Sequence, residues 1–344
     1  MRILIHSRGF PPNVGGVETV MEMLAEGFVR AGHKVKVVTA TPDVENKKFP
    51  FDVVRNPGVR QFFSLVLWSE VILQGGLNIK WLWPLLFNRR RLVVSHHIWF
   101  PAGLRGHVKN LMTFLLTNIA ASTALAHRIK GPTVIIHNSY RKEVFRDIAG
   151  EKRERELVYL GRLVPEKGLD VLLDALAKLT CVESRPSLTI VGEGPERDRL
   201  GKRAADLGIC SQVKFIGVQH GEDLARTLNC HRILVIPSTW EEPFGIVALE
   251  AIACGCVVVG TDGGGLPEAI GPCGIVVPRG NSDALAMAIR KLVTDESLQL
   301  EYRAAFHDHL IRFAPERFVR AYLDVLKEQN IAETTEKGEA PVST

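Results

Sequence analysis

The sequence lacks several patterns that mark well-known classes of protein. Its six cysteines all lie in the second half and form no Cys-x-x-Cys pair, which favours free thiols in a reducing compartment over zinc sites or disulfides. No zinc pattern, basic repeat or RNA-recognition aromatic signature is present, which argues against a nucleic-acid-binding module. No run of roughly 20 mostly apolar residues occurs, so we predict no transmembrane helix.

Composition favours an ordinary globular chain with an uneven charge. The 344 residues are 46% hydrophobic and 24% charged, which suits two domains of usual size. Residues 1–150 hold 20 Lys or Arg against 9 Asp or Glu, and the remainder holds 23 against 29. The basic first half predicts an anionic acceptor or an anionic membrane surface as its partner, with a merely solvated surface as the alternative.

The chain begins with a strand and a glycine-rich loop. Residues 2–6 are an apolar strand, residues 17–31 show helical spacing, and Lys34–Thr39 is a second strand. No charged-then-apolar leader precedes the first strand, so we expect no secretory signal and a cytoplasmic protein. Gly15 and Gly16 lie where a parallel sheet presents its ligand crevice, and they allow a phosphate to approach the backbone. A tight turn alone is the alternative.

Residues 62–87 are markedly apolar, but polar residues and glycines interrupt them. This pattern fits strand, loop and short helix. Its aromatic residues Trp81, Trp83 and Phe87 precede the basic run 89–91. They fit either a membrane interface or an aromatic core with a solvated basic tail.

Another predicted strand, at residues 92–95, is followed directly by two histidines, His96 and His97. Adjacent residues of an extended chain point to opposite sides, so at most one of His96 and His97 faces a ligand. Residues 109–128 show helical spacing, and residues 133–136 look like the last strand of the first domain.

A charged stretch at residues 146–156 sets the predicted domain boundary. The first domain is expected at residues 1–150 and the second at residues 151–314. An amphipathic helix at residues 315–329 should close the fold, and the small polar residues 330–344 should form a disordered tail.

The second domain opens with a strand and a glycine-bounded loop. This loop, Gly161 to Gly168, carries Arg162 and Lys167. Cations at the end of a strand suit a diphosphate, since Arg offers a planar fork and Lys a point charge. Solvated surface charges are the alternative.

A strand at residues 232–236 leads to a predicted buried helix. We place Pro243 in the first turn of that helix. The backbone N–H groups near Phe244, Gly245 and Ile246 then have no partners within the helix and lie at its positive end. Anions or sugar hydroxyls can bind there.

Glu242 and Glu250 bracket this segment, eight residues apart. If the segment is mostly helical, the two carboxylates lie roughly 12 Å apart along the axis, too far for one acid–base pair. That spacing suits the two ends of a long ligand such as a sugar nucleotide. The alternative is that Glu242 caps the helix and Glu250 is a partly paired interior charge.

Glu242 and Glu250 match the Glu-x7-Glu motif of retaining GT-B glycosyltransferases, and the chain resembles glycosyltransferase family 4. Four further motifs stand in the order used by that family: Pro11-Pro-Asn-Val-Gly-Gly-Val-Glu18, Gly161-Arg-Leu-Val-Pro-Glu-Lys-Gly168, Leu188-Thr-Ile-Val-Gly-Glu-Gly-Pro-Glu196 and Gly263-Gly-Gly-Leu-Pro-Glu268. Residues 137–139, His-Asn-Ser, depart from the Pro-Asn-Gly common in relatives.

The resemblance implies an α/β protein of GT-B fold, with two Rossmann-like βαβ domains facing across a cleft and the closing helix packed back on the first domain. It implies retaining transfer from a nucleotide-diphosphate sugar, UDP- or GDP-linked, to a glycan or lipid-linked acceptor. We expect no cofactor. We also expect no metal, because Arg162, Lys167 and the Gly15 and Gly16 amides can stabilise the diphosphate and the chain has no Asp-x-Asp motif to hold an ion. We expect this transfer to serve bacterial surface polysaccharide or glycolipid synthesis.

The resemblance also implies roles for particular residues. Glu250 would bind the ribose hydroxyls, and Glu242 with the amides of Phe244 and Gly245 would bind the transferred sugar. His97 would contact that sugar. A non-hydrolysing sugar-nucleotide epimerase, a phosphorylase that needs pyridoxal phosphate, and a non-catalytic scaffold in a glycan-assembly complex are the alternatives.

Overall fold

We describe a computed structural model of the chain, for residues 1–13, 15–44, 47–81, 90–148, 153–181 and 185–328. Contacts group the residues into two compact units. The first unit comprises Met1–Ala121, Ala126–Ile136 and the chain from Glu316 onward, and the second comprises Ser122–Leu125 and His137–Pro315. The predicted tail at residues 330–344 lies outside the described residues.

The first unit is built on a seven-stranded sheet in which the neighbouring strands run parallel. Its strands are β1 (Arg2–Ser7), β2 (Lys34–Thr39), β3 (Asp52–Arg55), β4 (Val71–Gly75), β5 (Arg91–His96), β6 (Thr117–Ala120) and β7 (Thr133–Ile135). Their order in the sheet is β3-β2-β1-β4-β5-β6-β7. The central β1 is apolar and buried because strands flank it on both edges and helices cover its faces.

Helices connect these strands. They are α1 (Gly16–Arg30), α2 (Val59–Trp68), α3 (Leu104–Met112) and α4 (Thr123–Ala126). The prediction of a helix from the apolar spacing of residues 17–31 is confirmed, and Gly32 follows it in the left-handed conformation that ends many helices.

The described part of the apolar stretch, residues 62–81, forms most of α2, strand β4 and a 3₁₀ turn at Ile79–Trp81. Trp81 packs edge-on against Phe62, with ring centroids 4.3 Å apart. Its ring therefore belongs to the core of the first unit, as one of the two alternatives had it. Trp83, Phe87 and Arg89 lie outside the described residues.

The predicted helix at residues 109–128 is wrong. Helix α3 ends at Met112, and strand β6 occupies the middle of the predicted span. Asn118 holds this strand, because its side-chain amide donates to the carbonyl oxygens of Thr113, Leu116 and Pro132 at 2.8 to 3.0 Å. These partners are provided by the tertiary fold and cannot be read from local spacing.

The last described helix, α13 (Pro315–Lys327), packs on the first unit. Tyr322 is fully buried, and its hydroxyl lies 2.5 Å from Ser95 Oγ. Gly27 of α1 faces Val319, where any larger side chain would collide.

The second unit repeats the plan with six parallel strands. They are β8 (Arg155–Leu160), β9 (Leu188–Val191), β10 (Val213–Phe215), β11 (His231–Ile236), β12 (Val257–Thr261) and β13 (Gly274–Val277), in the order β10-β9-β8-β11-β12-β13. The helices are α5 (Leu169–Ala177), α6 (Arg197–Asp206), α7 (Gly221–Asn229), α8 (Ile246–Ala253), α9 (Leu266–Ile270), α10 (Ser282–Thr294), α11 (Glu296–Ala304) and α12 (Phe306–Arg312). The Asn281 side chain caps α10 by accepting from the amides of Asp283 and Ala284.

Residues 137–148, which precede and begin the charged stretch, also group with the second unit. The Asn229 side chain accepts from the Ile148 amide at 2.8 Å and donates to the Arg146 carbonyl at 3.0 Å. Ser139 Oγ donates to the Phe313 carbonyl at 2.6 Å. A charged run indicates solvent exposure, whereas these polar contacts of buried side chains attach the segment to the second unit. The main segment of the second unit therefore begins at residue 137 instead of the predicted residue 151.

Candidate active site

The strand order of the second unit reverses between β8 and β11, which are neighbours in the sheet. In open parallel sheets the loops at the carboxyl ends of two such strands form the ligand crevice. Here the loop after β8 runs from Gly161 to Gly168, and the loop after β11 runs from Pro237 to Gly245. The two sequence motifs richest in candidate residues therefore meet at one point of the fold.

Lys167 and Glu242 are in direct contact at this point. Lys167 Nζ lies 2.7 Å from Glu242 Oε1, and Ser238 Oγ donates to the same oxygen at 2.5 Å. The ammonium also lies 5.7 Å above the ring of Trp240. Because Glu242 is only 7% exposed, this cation and this hydroxyl compensate for the loss of hydration of its carboxylate.

Glycines bring the backbones of these loops together. Gly168 has φ 69°, and a β-carbon there would collide with the Pro237 carbonyl oxygen. Gly264 has φ 67°, and a β-carbon there would collide with the Glu242 carbonyl oxygen, which the Gly265 amide bonds at 2.8 Å. The position of Glu242 thus depends on close backbone approaches that other residues do not permit.

Gly168→Ala should destabilise the protein more than Gly208→Ala does. Both positions are left-handed, at φ 69° and 67°, but Gly208 faces open space. The shared conformational cost is about 1–2 kcal/mol, and the collision at Gly168 adds about 1–3 kcal/mol. Chemical denaturation of the two variants measures the difference, and equal losses would mean that the loops are not in close contact.

The helix after the acidic loop begins later than predicted. Helix α8 starts at Ile246, with Gly245 in a left-handed conformation at φ 105° as its N-cap. The placement of Pro243 in the first turn is therefore wrong, and so is the axial separation estimated from it, because Glu242 instead forms a strand-like bridge with Gly264. The Phe244 ring is buried 5.8 Å from that of Phe313, so this residue can offer only its backbone to a ligand.

Glu250 lies within α8 and is half-buried. Burial raises its pKa to about 7, and the nearby Arg141 opposes this rise. The carboxyl is thus poised between its charged and neutral forms near neutral pH, in contrast to a solvated glutamate. Ligand hydroxyls that donate to the carboxylate would favour its charged form.

Glu250→Gln should gain stability relative to the unchanged protein as the pH rises. Below about pH 4.5 the carboxyl is protonated in both folded and unfolded chains; between there and pH 7 only the unfolded chain ionises, so the unchanged protein loses stability. The shift corresponds to about 3 kcal/mol at most. Urea unfolding of both proteins at pH 4.5 and 8 measures the change, and a constant difference between them would refute the raised pKa.

Arg162 lies on the same loop as Lys167, but its side chain is 72% exposed. Its guanidinium is 3.9 Å from Glu166 Oε1, a loose solvated pair. Its backbone is fixed, since the Tyr159 hydroxyl donates to the Arg162 carbonyl at 3.0 Å. The guanidinium is therefore free to turn toward an anion without disturbing the fold.

The remaining predicted residues lie in the first unit. His97 is buried, with Nε2 2.7 Å from Ser95 Oγ. His96 points elsewhere and contacts Asn118 at 3.1 Å, and burial lowers the pKa of His96 to about 4. The two histidines thus face different partners.

Gly15 and Gly16 begin α1, and Gly15 is its N-cap. The Glu18 carboxylate lies against Gly15, where an added β-carbon would collide with it. An anion bound at these amides would meet this carboxylate, so Glu18 would have to turn away.

Sequence reasoning assigned no role to Glu268, although its motif was recognised. Its carboxylate accepts from the Thr123 amide at 3.0 and 3.1 Å and from the Thr123 hydroxyl at 3.0 Å, and it lies 2.6 Å from His137 Nε2. Burial alone would raise the pKa of Glu268, but the bonds from His137 and Thr123 outweigh it and hold that pKa below its usual value. His137 is the departure from Pro-Asn-Gly, and that departure was the available signal. Ser238 was also missed.

The architecture recurs in solved glycosyltransferases. HepE from Anabaena superposes with a TM-score of 0.81 at 22% identity, covering 95% of this chain and 99% of HepE. WaaG, a glycosyltransferase involved in lipopolysaccharide biosynthesis, gives a TM-score of 0.74 at 16% identity, covering 96% and 100%. The fold is therefore the GT-B fold, which confirms the predicted fold class.

Sequence comparison assigns the family. The family model described as "Glycosyl transferases group 1" matches residues 141–308. The uncharacterized glycosyltransferase MJ1607 of Methanocaldococcus jannaschii is 36% identical over 360 residues, covering 86% of this chain and 90% of that protein. The chain belongs to the group 1 glycosyltransferases. The lipopolysaccharide core biosynthesis glycosyltransferase LpsE of Rhizobium meliloti is also 36% identical, over 171 residues, but this match covers only 48% of each chain.

Proposed function

We propose that this glycosyltransferase moves a sugar, with retention of configuration and without a metal ion, from a nucleotide-diphosphate sugar to a glycan or lipid-linked acceptor. The observation that carries the proposal is the contact of Lys167 with Glu242 at the point where the sheet of the second unit reverses its strand order. A cation and a carboxylate held together there can meet the two chemically different parts of one donor, the diphosphate and the sugar hydroxyls.

We assign a role to each candidate residue of the second unit. Departure of a nucleoside diphosphate develops negative charge, and fixed cations stabilise it. Lys167 has three N–H donors, so it can hold Glu242 and still donate to a phosphate oxygen, while the exposed Arg162 turns toward the same group. The Glu242 carboxylate accepts hydrogen bonds from hydroxyls of the transferred sugar, and the amides of Gly245 and Ile246 donate hydrogen bonds to them.

Glu250 is assigned to the ribose hydroxyls. Its pKa of about 7 gives this assignment a signature, because ribose hydroxyls that donate to the carboxylate lower that pKa. We also assign Gly15, Gly16 and His97 of the first unit to the donor, on the family resemblance alone. The acceptor attacks from the face that the nucleotide leaves, and the departing phosphate takes its proton.

Similar proteins favour one class of donor and one class of acceptor. HepE has been solved with UDP, with UDP and glucose, and with UDP-glucose, which favours a UDP-sugar over a GDP-sugar. LpsE serves lipopolysaccharide core synthesis, which favours surface polysaccharide or glycolipid assembly at the cytoplasmic face of a membrane.

A thermal-shift series with UDP-, GDP- and ADP-sugars tests the donor. A ligand at 100 times its Kd stabilises the folded state by about 2.7 kcal/mol, and we expect this from a UDP-sugar. Donor-only incubation must leave the sugar configuration unchanged. Failure of every nucleotide sugar to bind, or epimerisation of the donor without acceptor, would contradict the proposal.

A further inference from the structure

Helix α3 of the first unit turns an apolar face to solvent. Leu104, Val108 and Leu111 lie on it, and Leu115 follows in a 3₁₀ turn, at spacings of four, three and four residues that place them on one side. Their exposures are 82%, 43%, 52% and 86%, and the adjacent Phe114 is 57% exposed. A contiguous exposed apolar stripe of this kind marks an interaction surface.

Little of the side of α3 that faces the protein is apolar: Met112, at its end, packs against the core of the first unit, and the other contacts of this side are polar. Gly106 is the buried residue of the helix. The Asn110 side chain donates to the Arg128 carbonyl at 2.7 Å and accepts from the Lys130 amide at 2.8 Å. Thr113 Oγ1 accepts from the Gly131 amide at 2.9 Å. Polar contacts and Met112 therefore anchor this segment, whereas Leu104, Leu111 and Leu115 remain exposed.

The surroundings of the stripe are positively charged. From Val71 to Lys142 the sequence contains no Asp or Glu but ten Lys or Arg. Arg105 and Lys109 lie one turn apart on α3, and burial together with repulsion from Arg105 and Arg8 lowers the pKa of Lys109. Within the described ranges no carboxylate lies at ion-pair distance from any of the three.

We propose that α3 and its following turn form a docking surface for an anionic lipid bilayer, with Leu104, Leu111 and Leu115 entering the interface and Arg105 and Lys109 contacting the headgroups. Leucines flanked by unpaired cations are the chemistry that recognises such a surface. None of the helices in the described part of the chain is long and apolar enough to cross a membrane, so the contact is peripheral.

This inference deepens the proposed function and rests on it for the acceptor. Helix α3 follows β5 and begins at the carboxyl edge of the first unit's sheet, the edge that also carries the Gly15–Gly16 loop and His97. Docking by α3 would bring this edge to the bilayer, where a lipid-linked acceptor presents its headgroup. Trp81, which the sequence placed in either a membrane interface or an aromatic core, packs in the core and takes no part in this surface.

Vesicle cosedimentation tests the apolar stripe. The full chain is mixed either with neutral vesicles of phosphatidylcholine or with anionic vesicles in which about 30% of the lipid is phosphatidylglycerol. We expect binding to the anionic vesicles and at least a tenfold loss of partitioning on Leu104→Ser, Leu111→Ser and Leu115→Ser together. The matched control replaces Met287, Leu300 and Ile311, exposed apolar residues of the second unit, by serine and should bind as the unchanged protein does.

The charges are tested in the same assay. Arg105→Glu with Lys109→Glu should reduce binding at least tenfold, whereas Arg290→Glu with Lys291→Glu on α10 should not. Equal binding to neutral and anionic vesicles, or equal losses in target and control variants, would overturn the inference. Loss of a concentration-dependent dimer in the serine variant, without any vesicle binding by the unchanged protein, would assign the stripe to self-association instead.

Donor binding separates the two proposals. The thermal shift produced by a UDP-sugar should be the same in the α3 variants and in the unchanged protein, which also shows that they fold. Vesicle binding without any donor binding would support the docking surface and contradict the proposed function. Donor binding without any vesicle binding would contradict the docking surface alone.

Discussion

Replacing Arg162 and Lys167 together by alanine is expected to lower turnover of the nucleotide sugar by about 10⁴-fold or more. One fixed donor that stabilises developing negative charge contributes about 10²–10³ in kcat, and these are the two cations on the loop beside Glu242. Release of the nucleoside diphosphate, followed with time in the presence of an acceptor, measures the loss.

Arg162→Ala alone isolates the catalytic contribution. Its side chain is 72% exposed, so its loss should change stability by no more than about 0.5 kcal/mol while kcat falls by about 10²–10³. Arg226→Ala is the matched control, because Arg226 is also an exposed partner of a nearby carboxylate, Asp223. Full activity in the double alanine variant would show that the diphosphate binds elsewhere.

Lys167→Met is expected to destabilise the folded protein by about 2–4 kcal/mol. The change leaves the Glu242 carboxylate, 7% exposed, with the Ser238 hydroxyl but without its cation. Removing one partner of a buried pair costs about 3–5 kcal/mol, and the 22% exposure of the Lys167 side chain reduces that cost. Unfolding in urea or guanidinium chloride gives the value.

Adding Glu242→Gln to Lys167→Met should recover much of this stability, since the buried charge is then removed. Lys178→Met is the control: its pair with Asp283 is exposed, at 41% and 79%, and should contribute less than about 1 kcal/mol. Costs that simply add in the double variant would mean that the two side chains do not interact in solution.

Some of the strands follow from patterns that the sequence displays openly. Lys34–Thr39 is a run rich in β-branched residues with turn signals near its ends, and it forms a strand with the predicted bounds. Glycines after strands, such as Gly161 and Gly263, mark the loops that carry the site, because parallel sheets present their ligands there.

Other features depend on partners distant in the chain. Strand β6 carries a central Asn118 that only the folded loops satisfy, so helical spacing in its neighbours misled the prediction. The start of α8 at Ile246 depends on the bridge between Glu242 and Gly264. Both carboxylates of the Glu-x7-Glu motif were found, but their spacing in sequence gave no hint that Lys167 contacts one of them.

The exposed apolar stripe of α3 shows a different limit. The predicted helix at residues 109–128 overlaps α3 only at residues 109–112, and apolar spacing says nothing about which side of a helix faces the core. Burial in the folded chain decides this, and here it leaves Leu104 and Leu115 in solvent.

A crystal structure with a bound UDP-sugar tests the central claim most directly. We predict the diphosphate within hydrogen-bonding distance of Arg162 and Lys167, the ribose hydroxyls on the Glu250 carboxylate, and the sugar at Glu242. A nucleotide bound away from the loops that follow β8 and β11, with the Lys167–Glu242 contact untouched, would contradict it.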